Sequence, residues 1–227
     1  MKIKCLYLIM ISSFLITQVE YTNVYAVEFF LDGSSPFGVP YKDWVDKWWN
    51  WWISVHKDNV TNAQLEKKDC LANLEGPVVF LMNPSFAGGE KREKVCEISD
   101  KQGILFNFLT AECDTGLSEQ TDSSYRELIN CALEDDQGTL HKEAYLDNVK
   151  IPENKIEEIY TNEFNISISS NNVYDAEPGS FKAAAHGWYV FVKPLSSGNH
   201  VLTYKSALFG VPYGFTSDIT YHFKVTK

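Results

Sequence analysis

Five tryptophans between positions 44 and 52 are the feature of this sequence that most limits its fold. The segment 41–56 reads YKDWVDKWWNWWISVH. At the roughly 100° per residue of an α-helix, the tryptophans share one face and the charged side chains fill the other. So wide an aromatic face must be buried against a second layer of structure. The segment therefore predicts an amphipathic helix that packs on a sheet.

After this helix, short apolar or alternating runs separated by turn residues indicate β-strands. The predicted strands lie at 77–82, 94–98, 104–109, 140–146, 163–169, 181–193, 200–205 and 217–225. Residues 195–199 (LSSGN) predict a hairpin loop before the strand at 200–205. Ser124 and Glu127 form a capping-box pattern that predicts a second, short helix. We expect a mostly β fold, a β-sandwich or jelly-roll-like domain with these two helices added.

The first 26 residues have the pattern of a signal peptide. Lys2 and Lys4 precede an uncharged apolar run at 5–16, which is too short to span a bilayer as a helix. A small residue, Ala26, ends the polar stretch that follows and offers a cleavage site. The alternative is an uncleaved membrane anchor. We expect residues 1–26 to be removed and residues 27–227 to form a single secreted domain with no membrane span.

Four cysteines remain after such cleavage, namely Cys70, Cys96, Cys113 and Cys131. An even number in an exported chain implies disulfides, with three possible pairings. We favour Cys70–Cys96 and Cys113–Cys131, whose short loops would each contribute about 3 kcal/mol. A zinc site is the alternative, but the sequence has no C-x-x-C pair and no histidine at finger spacing.

Two further features agree with export and limit the partners. Asn59 and Asn165 begin N-x-S/T sequons, so both are candidate glycosylation sites. The formal charge of −10 disfavours nucleic acid and anionic lipid as partners. Cations, basic proteins and neutral glycans remain open.

Several segments together resemble an uncharacterised family of exported archaeal and bacterial proteins. The resemblance lies in the tryptophan-rich helix and in the segments 76–81 (GPVVFL), 95–98 (VCEI), 103–106 (GILF), 112–113 (EC), 194–200 (PLSSGNH) and 218–222 (DITYH). It covers most of the chain after the signal peptide. It implies an exported protein with a β-sandwich-like C-terminal half, and it implies no activity or site residue.

No known catalytic or cofactor motif stands out in the sequence. The nucleophile-elbow, zinc-protease, dinucleotide and phosphate-loop patterns are absent, and no cysteine follows Cys131 to complete a type 1 copper site. His200 and His222 could meet on neighbouring late strands. A hydrolase would need two carboxylates opposed across a cleft, and several acidic segments offer them, including Glu112 and Asp114 and the run 134–136. We expect no cofactor, no metal and no catalytic residue.

The best binding candidates are Trp49 and Trp51, which lie at the two edges of the aromatic arc and should stay partly exposed. Exposed aromatic side chains are frequent anchors in binding sites. The sequence thus favours a non-enzymatic exported protein that binds an envelope protein or glycan at or near the cell surface. The alternative is a secreted hydrolase acting on polysaccharide or peptide.

Overall fold

Two β-sheets and two helices make up the described part of the chain. The computed structural model describes residues 27–61, 67–82, 91–116, 122–135, 138–210 and 214–227. The helices are α1 (Tyr41–Ser54) and α2 (Tyr125–Asp135). The strands are β1 (Phe29–Phe30), β2 (Ala72–Asn73), β3 (Val78–Leu81), β4 (Lys91–Ser99), β5 (Gly103–Asp114), β6 (Thr139–Leu146), β7 (Val149–Lys150), β8 (Glu157–Tyr160), β9 (Phe164–Ile168), β10 (Gly179–Val192), β11 (Gly198–Phe209) and β12 (Phe215–Thr226). The predicted mostly β, sandwich-like fold with two helices is confirmed.

The chain passes repeatedly between the two sheets. The seven-stranded sheet has the order β2-β3-β5-β10-β1, and β8 and β9 also pair with β10. The five-stranded sheet has the order β4-β12-β11-β6-β7. Strand β4 follows β3 in the chain but joins the other sheet before β5 returns. Accordingly β3 pairs with β5 in parallel, and β4 pairs with β12 in parallel.

The segment 195–199 connects the two sheets, so its prediction as a hairpin loop is wrong. Strand β10 before it pairs with β1, β5, β8 and β9, whereas β11 after it pairs with β6 and β12. Serine, glycine and asparagine mark a change of chain direction, but they do not specify which sheet the next strand joins.

Strand β10 is buried on both faces and separates two apolar cores. Val190 and Val192 face the five-stranded sheet, while Tyr189 and Phe191 face α1. This follows from the period of two along a strand, because successive side chains point to opposite faces. The molecule is therefore layered in the order α1, seven-stranded sheet, five-stranded sheet.

Helix α1 lies on the outer face of the seven-stranded sheet, as predicted. Trp44, Trp48 and Trp52 are at most 6% exposed. Each indole N–H has a partner: Trp44 donates to the Pro36 carbonyl, Trp48 to the Leu81 carbonyl and Trp52 to the Tyr174 hydroxyl, all at 2.9 Å. A buried tryptophan needs such an acceptor, so these bonds fix the helix in one orientation on the sheet.

The polar side of α1 also holds part of the sheet. The Asn50 side-chain amide donates to the Asn165 carbonyl, and its oxygen accepts from the Ser167 amide, both at 3.0 Å. Asn50 thus replaces a neighbouring strand along the outer edge of β9. An edge strand left with unpaired backbone groups would be open to pairing with another chain.

Helix α2 begins at the predicted capping box, with one difference. The Glu127 carboxylate reaches back to the Ser124 amide at 2.7 Å, as expected. The Ser124 hydroxyl donates to the same carboxylate at 2.7 Å, and the Glu127 amide bonds to the Ser124 carbonyl. The serine hydroxyl therefore satisfies the carboxylate instead of the helix backbone.

The sequential disulfide pairing is confirmed. Cys70–Cys96 joins the segment before β2 to β4, and Cys113–Cys131 joins β5 to α2. In the described ranges, no helix is long and apolar enough to cross a membrane.

Removing one aromatic ring from the α1 face should destabilise the whole domain. Trp48→Ala removes a fully packed indole and leaves the Leu81 carbonyl without its donor. We expect a loss of about 3–5 kcal/mol in the free energy of unfolding, measured by urea denaturation. The exposed neighbour Lys47→Ala is the control and should change stability little. Equal urea midpoints for Trp48→Ala and Lys47→Ala would mean that the aromatic face of α1 is not part of the core.

Candidate functional site

A pocket of about 500 Å³ opens at the C-terminal end of α1. Its volume lies within the roughly 300–1,000 Å³ typical of small-molecule sites. The lining combines one aromatic ring with polar groups from three segments of the chain. Members of this set, called the Trp51 pocket below, include Trp51, His56, Asn59, Asp69, Leu71 and Lys94.

Trp51 is held in place although it is partly exposed. Its ring centroid lies 6.0 Å from that of Phe80 and 6.0 Å from that of Trp48. The Ser54 hydroxyl donates to the Trp51 carbonyl at 2.7 Å and fixes the last turn of the helix. A ring braced in this way loses little conformational entropy when a ligand covers its open face.

The opposite wall of the pocket is the segment 67–72, which is tied to the five-stranded sheet. The Val95 amide donates to the Lys68 carbonyl at 2.7 Å, and the Lys94 ammonium donates to the Lys67 carbonyl at 2.5 Å. The Tyr221 hydroxyl donates to the Leu71 carbonyl at 3.0 Å. Together with the Cys70–Cys96 disulfide, these bonds make the wall a fixed surface.

The pocket rim offers hydrogen-bonding groups to a ligand. Asp69 and Asn59 are exposed, and neither side chain makes a hydrogen bond to another residue in the described ranges. The carboxylate supplies acceptors only, and the amide supplies both donors and an acceptor. Lys94 lies deeper, and burial, followed by the charge of Arg92, lowers the pKa of its ammonium.

A second candidate site lies on β5, where Glu112 and Asp114 project towards α1. Glu112 is paired across the sheet with Ala185 and Asp114 with Ala183. Cross-strand partners share a face, and both alanines belong to the core beneath α1. A register shift between Trp188 and Tyr189 precedes this part of the sheet.

The carboxyl group of Glu112 has a strongly perturbed pKa. Burial, followed by the negative charge of Asp114, raises the pKa of Glu112 to about 8. Its Oε1 atom is buried and has no hydrogen-bond partner within the described residues. Asp114 accepts a bond from the Gly116 amide at 2.5 Å. Desolvation of its hydroxyl raises the pKa of Tyr174 to about 12, although the residue as a whole is 52% exposed, and the charge of Glu112 adds a smaller contribution. A protonated acid beside a second carboxyl group is an arrangement that general acid catalysis uses.

The structure separates the two tryptophans predicted to bind. Trp51 is partly exposed and lines the pocket, as its position on the helix suggests. Trp49 is only 4% exposed, so the prediction that it stays partly open is wrong. Its edge of the aromatic arc is covered because α1 also contacts β9, which the helical pattern alone cannot indicate.

The remaining predicted residues are dispersed. Asn59 and Asn165 are both exposed. His200 and His222 do not meet, because Val201 is the residue opposite His222, and adjacent strand positions face opposite sides. The His200 ring instead bonds to Asp147 at 2.6 Å and to the Ser196 carbonyl at 2.9 Å. Within the described residues, no group of three or more histidine, cysteine, aspartate or glutamate side chains is placed to hold a metal ion.

Sequence reasoning missed Asp69 and Lys94 as members of the Trp51 pocket. They come from segments distant from α1 in the chain, and no motif connects the three. The signal that could have pointed to them is the Cys70–Cys96 pairing, since each residue lies within two positions of one of these cysteines.

Comparison of the chain with protein-family models, with curated proteins and with solved structures gives no match. The function is therefore inferred from the geometry of the Trp51 pocket and of the Glu112–Asp114 pair. The family resemblance of the sequence stays a prediction.

The raised pKa of Glu112 predicts a pH-dependent stability. In the folded protein the pKa of Glu112 is about 8, so it keeps its proton at neutral pH, whereas the ordinary pKa of an unfolded glutamate is 4.5. The free energy of unfolding should therefore fall as pH rises between these values. Glu112→Gln should remove this part of the slope and should be more stable than the parent at pH 9. Urea denaturation at pH 5, 7 and 9 tests this, with the exposed Glu75→Gln as control. Parallel pH profiles of parent and Glu112→Gln would contradict it.

Proposed function

We propose that this chain is an exported, non-enzymatic β-sandwich protein that binds a partner protein or a glycan at or near the cell surface. The observation that carries the proposal is the Trp51 pocket, where a braced, partly exposed aromatic ring faces convergent polar groups. A concave site with an aromatic side and a few polar groups is the usual form of a binding site.

Export is supported by the covalent structure. The domain has two disulfides. Disulfides form and persist in oxidising compartments such as the cell exterior. The signal-peptide pattern at 1–26 points the same way, although these residues lie outside the described ranges. The net charge of −10 disfavours polyanionic partners.

A hydrolase acting on polysaccharide or peptide is the second candidate. The observation that favours it is the pair Glu112 and Asp114, because one carboxyl group keeps its proton at neutral pH beside another. A glycosidase needs a proton donor for the leaving oxygen and a second carboxylate as nucleophile or base. The binder is preferred because one carboxyl oxygen of Glu112 is buried without a hydrogen-bond partner among the described residues, while the Trp51 pocket is open.

Binding should depend on Trp51. In protein recovered from the cell exterior, Trp51→Ala should lower retention on the cell envelope at least tenfold, because it removes the aromatic anchor of the pocket. Phe209→Ala, at an exposed aromatic on β11, should leave retention unchanged. Quantitative immunoblots of envelope fractions measure the effect, and thermal unfolding checks that both variants are folded. Equal retention of parent and Trp51→Ala would refute the role of the pocket.

The hydrolase candidate has its own test. Purified protein incubated with envelope polysaccharides and peptides should give no turnover if the chain is only a binder. If turnover is found, Glu112→Gln and Asp114→Asn should each abolish it while Trp51→Ala leaves the rate at saturating substrate intact. Reducing-sugar and free-amine assays measure the products. That outcome would replace the binder with the enzyme.

A further inference from the structure

We infer that the Trp51 pocket binds a neutral sugar ring, and that the Cys70–Cys96 disulfide holds the pocket in its binding shape. The inference rests on the proposed function, since it names the ligand class of the same site. It adds that recognition is by stacking and hydroxyl hydrogen bonds, and that one disulfide serves the site while the other does not.

The size of the site favours a glycan over a protein. A stable protein interface buries about 800 Å² on each partner and needs a broad surface. The Trp51 pocket is instead a concave space of about 500 Å³, which suits a small ligand or the end of a longer chain.

The aromatic side of the pocket matches the apolar face of a sugar. Trp51 is braced from behind by Phe80, with ring centroids 6.0 Å apart, and its remaining surface lies in the pocket. The C–H groups on one face of a pyranose ring can cover this surface and exclude water from it. Since the indole is already held in place, stacking orders the ligand and not the protein.

The polar side of the pocket matches sugar hydroxyls. Each hydroxyl can both donate and accept, the Asp69 carboxylate accepts, and the Asn59 amide does both in chains that carry no glycan at this sequon. The nearby ammonium of Lys94 already donates to the Lys67 carbonyl, so it does not leave the site with an unsatisfied cation. Within the pocket the charges of Asp69 and Lys94 are opposite and offset each other, and the chain's charge of −10 repels carboxylated or sulfated sugars. The complement is therefore a neutral ring.

The disulfide decides whether these groups stand at the right separation. Cys70 lines the pocket between Asp69 and Leu71, and its bond to Cys96 attaches this wall to β4. Fixing the wall covalently lowers the entropy that ligand binding has to overcome. The Cys113–Cys131 disulfide joins β5 to α2, neither of which contributes a residue to the lining.

The first test is a binding titration of the disulfide-intact protein. Binding is measured by tryptophan fluorescence and by calorimetry. The probes are trisaccharides of glucose, mannose and N-acetylglucosamine, with the galacturonic acid trisaccharide as the acidic comparison. At least one neutral probe should bind, and the acidic one should bind at least tenfold more weakly. Trp51→Ala and Asp69→Asn should each weaken neutral binding at least tenfold, whereas Phe209→Ala should not.

The second test compares the two disulfides. Cys70→Ser/Cys96→Ser should lose at least tenfold in affinity for the neutral sugar, and Cys113→Ser/Cys131→Ser should keep the parental affinity at a temperature where both are folded. If the first variant does not fold, Tyr221→Phe replaces it. This change removes the donor to the Leu71 carbonyl in the pocket wall together with a bond to the Met82 carbonyl. Its control Tyr204→Phe also removes a bond to the Met82 carbonyl, and one to the Tyr221 hydroxyl, but leaves the donor to Leu71 in place. Equal sugar affinities of the pocket-wall variant and its control, whichever pair is used, would overturn the role of the disulfide-bound wall.

Failure of the inference can be separated from failure of the proposed function. If no neutral trisaccharide binds but Trp51→Ala still abolishes envelope retention, the ligand is not a neutral sugar and the pocket remains a binding site. If the acidic trisaccharide binds more tightly than the neutral ones, the pocket does not select against acidic sugars and its ligand is not a neutral ring. If Trp51→Ala changes neither sugar binding nor retention, both proposals fail.

Discussion

The docking of α1 on the seven-stranded sheet is the interaction on which the rest of the molecule depends. The helix contributes a continuous aromatic face, and its indole N–H groups bond to the Pro36 and Leu81 carbonyls and to the Tyr174 hydroxyl. Apolar burial supplies the driving force, and the directional bonds select one orientation of the helix. Because Leu81 belongs to β3, which pairs with β2 and β5, the position of the helix is coupled directly to the position of the strands.

The same docking determines where a site can form. Helix α1 ends at Ser54, and the chain continues in an extended conformation from Val55. Trp51, in the last turn, packs against Phe80 and is partly exposed. The disulfide-bound segment 67–72 stands across the gap, and the space between them is the pocket. Trp51 is thus partly exposed at the end of the helix, while Trp48 one turn earlier and Trp52 beside it are buried.

Local patterns predicted much of this structure. The helical period placed α1, alternation placed most strands, and the cysteine count gave the correct disulfides. These features depend on residues close in sequence, or on a small number of possible pairings. The burial of Trp49 and the hydrogen bonds of Asn50 depend on contacts with β9, and the residues that line the pocket depend on the segment 67–72. No local pattern encodes these contacts. Even Asp46, on the polar side of α1, is buried enough that desolvation raises its pKa to about 7.

Strand β5 illustrates why alternation could not predict which face the side chains of the second candidate site occupy. Phe106 and Phe108 face the five-stranded sheet, so strict alternation would place Glu112 on that side and Cys113 towards α1. The register shift opposite Trp188 and Tyr189 adds one residue to β5 and reverses the two faces.

This single bulge has two consequences. Cys113 now faces α2, where it can bond to Cys131, and Glu112 faces the core beneath α1, where its pKa rises. Gly187 lies just beyond the shift, and a Cβ atom there would lie 2.5 Å from the Leu109 carbonyl oxygen, so the close approach of the strands requires glycine. The same β-bulge therefore produces both the disulfide that attaches α2 and the burial of the Glu112 carboxyl group. An in-register β5 could have neither.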